Sequence, residues 1–270
     1  MHASATDLPA PDAIIFDFAG VLAPVRPMAE RHDGGIEQVL ALLERAAPGT
    51  MSAEQVAADV RSGYAAYEGW KTGQSRRRHP GDMSPREFWG DFVTPDWDSQ
   101  PRAAVLAHAR PLCEHLDYGI FETDGQPGML ELLQRIRGLG IRTGCVSNSM
   151  SGASRRRLMR EFGYAEHMQI EIYSDEIGMR KPHPEVFLSA TAALGVSPSR
   201  AWYVGDRADR DVVGVRRAAL GAVVLLTSTE SVRALDVDAA PDVTVQHPAQ
   251  IAELLEAVLG TGQASARSGG

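Results

Sequence analysis

AIIFDFAGVL, residues 13–22, decides how the rest of the chain is read. Four apolar residues run straight into an acid, and a glycine follows three positions later. A short uninterrupted apolar run fits a strand buried on both faces, and Asp17 then falls where that strand must end. Five further runs share the texture: 141–147 (IRTGCVS), 168–174 (MQIEIYS), 200–205 (RAWYVG), 222–227 (AVVLLT) and 242–246 (DVTVQ). Helical patterns at 128–139, 152–162, 184–194, 209–219 and 248–259 separate them. Strands alternating with helices predict an α/β fold, a Rossmann-like doubly wound parallel sheet with helices on both faces.

Between 24 and 121 the alternation stops. Apolar residues recur at helical spacing (Ile36, Val39, Leu40, Leu43, then 52 onward, 84–93 and 102–116). Ser52 with Gln55 and Ser84 with Glu87 have capping-box spacing, and Pro85 suits a first helical position. The expected organisation is a core of residues 12–23 and 122–260, an all-helical insert at 24–121, and a small, polar, disordered tail at 261–270.

Composition narrows the partners. A net charge of -8 gives no basic field to draw the chain to nucleic acid or an anionic membrane, so phosphate binding would need locally placed positive charge. The apolar runs fall far short of the ~20 residues that span a bilayer. MHASATDLPAPDA has neither a basic nor an apolar leader region, so no signal peptide is expected. Two cysteines, Cys113 and Cys145, make no disulfide framework and read as core thiols in a reducing cytoplasm.

Ligands of doubly wound sheets collect beyond the carboxyl ends of the strands. There the sequence places Asp17, then Ser147 and Asn148, then Lys181 within SDEIGMRKPHPEVF, then Asp206 and Asp211. Acids, a hydroxyl and an ammonium on one rim are what metal-assisted phosphoryl transfer requires. Each residue alone also has a plainer reading. An Asp at a strand end commonly caps a turn, and Asp209 or Asp211 at a helix start suits an N-cap.

Together the four segments resemble the haloacid dehalogenase superfamily. FDFAGVL is similar to its first motif, VSNS to its second, Lys181 within GMRKPHPEVF to its third and VGDRADRD to its fourth, in the family's order. SPREFW (84–89) is similar to a segment of the helical cap domain inserted after the first strand in one branch of that family. The resemblance implies Asp17 as a nucleophile forming an aspartyl-phosphate. It implies Mg2+ held by Asp17, the carbonyl of Ala19 and Asp206, with Asp211 anchoring the ion's water shell or orienting Lys181. It implies Ala19, Gly20, Ser147, Asn148 and Lys181 around the phosphoryl group, the ammonium neutralising nucleophile and substrate. The implied activity is hydrolysis of a small phosphorylated metabolite by a monomer or homodimer.

Ala19 departs from the pattern, because most phosphatases of the family carry a second Asp there as general acid and base. Four readings follow. The chain is a phosphatase for better leaving groups, sugar 1-phosphates among them. It resembles phosphonoacetaldehyde hydrolases, which carry Ala here and use a cap lysine as a Schiff base; Lys71, with Lys181 one of only two lysines, would serve, although a lone helical lysine is usually solvated. It resembles metal-independent dehalogenases, against which Asp206 argues. Or it binds a ligand without turnover. Without a replacement base, transfer of the phosphoryl group to an alcohol would compete with hydrolysis. In the insert, Arg76, Arg77, Arg78 and His79 read as an anion clamp or a solvated loop, and Tyr64, Tyr67 and Trp70 as pocket lining or core. His183 is a further candidate proton shuttle.

Overall fold

The computed structural model describes residues 8–27, 31–227 and 239–268. Most of the amino-terminal segment in which no signal peptide is expected (1–7), and the last two residues of the expected tail, lie outside them. Among the described residues six strands are present: β1 (Ala13–Phe16), β2 (Arg142–Ser147), β3 (Ile170–Tyr173), β4 (Ala201–Gly205), β5 (Ala222–Leu226) and β6 (Val243–Val245). They form one parallel sheet in the order β3-β2-β1-β4-β5-β6. The fold is the Rossmann-like α/β class expected from the alternation.

Burial on both faces explains the unbroken apolar runs. Ile14, Phe16, Cys145, Trp202, Val204 and Val224 point to one side, and Ala13, Ile15, Val146, Tyr203 and Val223 to the other. On the first side pack α6 (Met129–Gly138), α7 (Gly152–Glu161) and α11 (Pro248–Ser268). On the second lie α9 (Pro184–Leu194) and α10 (Val213–Ala218), preceded by a π-turn at Ala208–Val212; a short α8 (Ser174–Ile177) follows β3. α11 runs through Ser268. Once its first half is anchored, a helix extends without a new nucleus, and this stretch contains no proline to stop it.

Between β1 and β2 lie α1 (Asp33–Ala46), α2 (Ala53–Ser75), α3 (Pro85–Glu87), α4 (Ser99–Ala107) and α5 (Ala109–Tyr118). Ser84 and Glu87 form the full reciprocal cap, whereas at Ser52 only half of one forms, because the Gln55 side chain turns to Asp59. Two expected helices differ in detail. After α3 the chain widens into a π-turn at Phe88–Val93, with Phe88, Trp89 and Gly90 all buried. The expected helix at 102–116 is broken at His108, so that Pro111, which lacks an N–H, falls in the first turn of α5.

Two buried ion pairs help to clamp the insert to the core. Asp117, at the end of α5, accepts from the Arg155 guanidinium at 2.8 and 3.0 Å, and both side chains are buried. The loop at 80–82 pairs with 178–180, and Arg180 meets Asp82 at 2.6 Å in a second buried ion pair.

Candidate active site

Strand register dictates which residues meet. Phe16 lies opposite Cys145 of β2 and Val204 of β4, so the residues that leave these neighbouring strands emerge side by side. Asp17 follows β1 directly and is buried, its Oδ1 accepting from the amide of Phe18 at 2.7 Å. Gly20 turns the chain with φ of 75°. A Cβ at that position would lie 2.5 Å from Oδ2 of Asp206, so only glycine lets this loop approach the fourth-strand acid.

Lys181 ties the rim together. Its Nζ lies 2.8 Å from Asp17 Oδ2 and 2.8 Å from Asp211 Oδ1, and it donates to the Tyr203 hydroxyl at 2.6 Å. The tyrosine donates in turn to the carbonyl of Val146 at 3.0 Å. Burial opposes the ammonium charge, but the carboxylates of Asp17 and Asp211 outweigh it and hold Lys181 above its ordinary pKa. Asn148 braces this lysine through its side chain: Oδ1 accepts from the Lys181 amide at 2.7 Å and Nδ2 donates to its carbonyl at 3.1 Å. The second oxygen of Asp211 accepts the amides of Asp206 and Arg207 at 3.1 and 3.0 Å, which fixes the turn after β4.

Oxygens of Asp17, Asp206 and Asp211 lie within 4.8 Å of one another. Burial, and then the neighbouring carboxylates of Asp17 and Asp211, push Asp206 up to about 8. Its Oδ1 is buried with no partner among the described residues, and the Ser147 hydroxyl is likewise buried and unpartnered. The rim is thus short of positive charge beside Asp206 and short of an acceptor beside Ser147. Three crowded carboxylates and an unpartnered carboxylate oxygen fit a hard, oxygen-loving divalent cation.

Residues 11–219 match the model of the haloacid dehalogenase-like hydrolases. The chain belongs to that family. A glyceraldehyde 3-phosphate phosphatase of Methanopyrus kandleri is 24% identical over 244 residues, covering 90% of this chain and 96% of that protein. A phosphoserine phosphatase of Thermus thermophilus is 34% identical over 113 residues, covering 42% of this chain and 44% of that protein. Among solved structures, a 2-haloacid dehalogenase from Pseudomonas syringae superposes with a TM-score of 0.60 at 19% identity, over 91% of this chain and 98% of that one. A phosphatase of the same superfamily from Thermococcus onnurineus gives 0.58 at 20% identity, over 90% and 97%. Dehalogenase and phosphatase share this hydrolase fold, so the residues must discriminate between them.

Several groups at this hydrolase's rim escape sequence reading. Tyr203 looks like core because it sits in an apolar strand. Arg210, beside Asp211, has a buried Nε without a partner. Burial works against its charge, but Asp209, Asp206, Asp211 and Asp17 more than offset this and raise its pKa. Asp209 itself is paired with Arg207 at 2.9 Å. Lys71, solvated on the plainer reading, is half-buried, paired with Glu68 and set over the rings of Tyr67 and Tyr64 at 5.1 and 5.8 Å. The physical reason is that Tyr64 and Tyr67 belong to the buried core of the insert, and Lys71 lies on their side of α2. His183 caps α9 through Nδ1, and its Nε2 meets His79 at 3.3 Å, so both nitrogens are engaged. Arg76 to His79 are exposed.

Proposed function

We propose that the chain is a phosphatase that hydrolyses a small phosphorylated metabolite, with Asp17 as the nucleophile. The observation carrying this reading is the Lys181 ammonium shared between Asp17 Oδ2 and Asp211 Oδ1 while Asp206 is left uncompensated. The lysine aims the Asp17 carboxylate and offsets repulsion from an incoming phosphate dianion. Ser147, the backbone at Asn148 and the Ala19 amide are assigned to the phosphoryl oxygens, whereas the Gly20 amide is taken by the Ala23 carbonyl at 2.9 Å. Mg2+ is the ion inferred for Asp17, Asp206 and the Ala19 carbonyl, with Asp211 ordering the shell; when bound it supplies Lewis-acid charge to the phosphoryl group. Within this reading residues 24–121 act as a lid, and the two buried, unpaired thiols Cys113 and Cys145 suit a cytoplasmic setting. The names of the phosphatase relatives support a phosphate monoester as substrate.

A single assay tests the reading. Turnover of para-nitrophenyl phosphate should require Mg2+ and fall by about four orders of magnitude in Asp17→Asn. Turnover retained in that variant, or indifferent to chelation, contradicts it.

A second reading draws on Ala19 and the half-buried Lys71. Amine attack on a carbonyl and cleavage of a carbon–phosphorus bond would need Lys71 unprotonated, and burial pushes it down to about 8 against the opposing pull of Glu68. Borohydride trapping of an aldehyde substrate on Lys71 would select that chemistry.

A further inference from the structure

The last two turns of α2 meet the core beside the rim. Trp70 stacks on the guanidinium of Arg180, the residue before Lys181, at 4.9 Å, and Tyr67 reaches the same group. The Ser75 hydroxyl lies against Asp209, two residues before Asp211. Residues 67, 70, 71, 74 and 75 share one face at the 3.6-residue period, so the face that touches the core at both ends carries Lys71 between them. Arg210 marks the same junction from below. Its charge is felt by Glu68 and Lys71 of the insert and by Asp206, Asp211 and Asp17 of the rim.

The phosphatase chemistry needs a proton donor, and Ala19 cannot supply one. Of the ionisable groups along this face, Tyr64 and Tyr67 are raised by burial well out of working range. Glu68 is held below the ordinary carboxylate value: burial works upward, and Lys71 and Tyr64 outweigh it. Lys71 is left. The geometry points to Lys71 as the general acid and base of the hydrolysis, delivered by the insert in place of the carboxyl that Ala19 lacks.

This inference rests on the phosphatase reading. In the first step Asp17 forms a bond to phosphorus as the bond from phosphorus to the ester oxygen breaks. The electron pair stays on that oxygen, and Lys71 Nζ gives it a proton and becomes a neutral amine. In the second step water attacks phosphorus, the amine takes the water's proton, and the bond from phosphorus to Asp17 breaks to restore the carboxylate. Ester and water become alcohol and phosphate, and Lys71 ends protonated. The charges facing Lys71 are Glu68 on its own helix, Arg210 from the π-turn after β4, and Arg180 from the loop before Lys181; the phenols are those of Tyr64 and Tyr67. A donor must be protonated to act, so kcat/KM should be full below pH about 8 and fall as pH rises through it.

The test compares phenyl phosphate, whose leaving oxygen needs the proton, with para-nitrophenyl phosphate, whose leaving oxygen does not. In Lys71→Gln, kcat/KM should fall about 10²-fold or more on the phenyl ester and no more than about tenfold on the nitrophenyl ester, with the alkaline limb gone. Lys71→Arg keeps the charge but is a poor acid, so it should not restore the phenyl ester. Glu68→Gln keeps the lysine and removes the group that raises it, so the limb should move to lower pH. Rescue by arginine, equal losses on both esters, an unchanged limb in Glu68→Gln, or a borohydride-trapped substrate on Lys71 overturns the assignment. If the wild-type protein hydrolyses neither ester, or Asp17→Asn remains active, the phosphatase reading fails and takes this inference with it.

Discussion

The chain contains two lysines, and the two regions of the molecule treat them in opposite ways. Lys181, at the sheet rim, is surrounded by Asp17, Asp211 and Tyr203, each delivered from a different place in the sequence. Lys71, in the insert, has a single carboxylate from the preceding turn of its own helix and sees two arginines across the junction. Burial penalises both ammonium groups. On the rim two carboxylates more than offset it and the pKa rises; in the insert one does not, and the pKa falls to about 8. Desolvation lowers both, and the nearby charges decide whether such a lysine is a fixed cation or a proton exchanger.

That contrast depends on how the insert is held, and the largest expected effect comes from releasing it. Asp117 takes three partners from the core, the Arg155 guanidinium, the Ser154 hydroxyl and the Met150 amide. Asp117→Ala leaves Arg155 charged and buried between Phe18 and Phe121, so denaturant unfolding should lose about 3–5 kcal/mol. A loss below about 1 kcal/mol would show that the joint is open to water in solution.

A smaller change probes the rim alone. Asn148→Ala removes both hydrogen bonds that seat the Lys181 backbone and leaves every charge in place. Stability should fall by about 1–3 kcal/mol, at about 0.5–1.5 kcal/mol for each bond. Turnover should fall about 10- to 100-fold through misplacement of the ammonium. An unchanged rate would mean that Asp17 and Asp211 position Lys181 without help from its loop.

How much of this was legible beforehand follows the same division. Buried parallel strands are short apolar runs whatever their partners, so all six stand out, each within two residues of its observed ends. The rim residues are readable because topology forces strand ends together: Asp17, Ser147, Asp206 and Asp211 need only be the polar residues that follow apolar runs. Tyr203 gives no such signal, since its hydroxyl lies inside a strand and matters only through a lysine 22 residues away in sequence. The half-buried setting of Lys71 is also hard to read from sequence. This lysine lies over the rings of Tyr64 and Tyr67, and the Tyr64, Tyr67 and Trp70 stripe fits pocket lining as well as core until the packing is seen. The break at His108 was hidden because Pro111 fits either a helix start or a kink, and only packing chooses between them.

The claim on which all of this stands is that Asp17 bonds to phosphorus. Acid quenching of the protein during turnover of an aryl phosphate, followed by mass analysis of its peptides, tests it directly. The account predicts one phosphoryl group on the peptide that contains Asp17, lost in Asp17→Asn. Steady turnover with that peptide unmodified, or with the adduct on another residue, would contradict it.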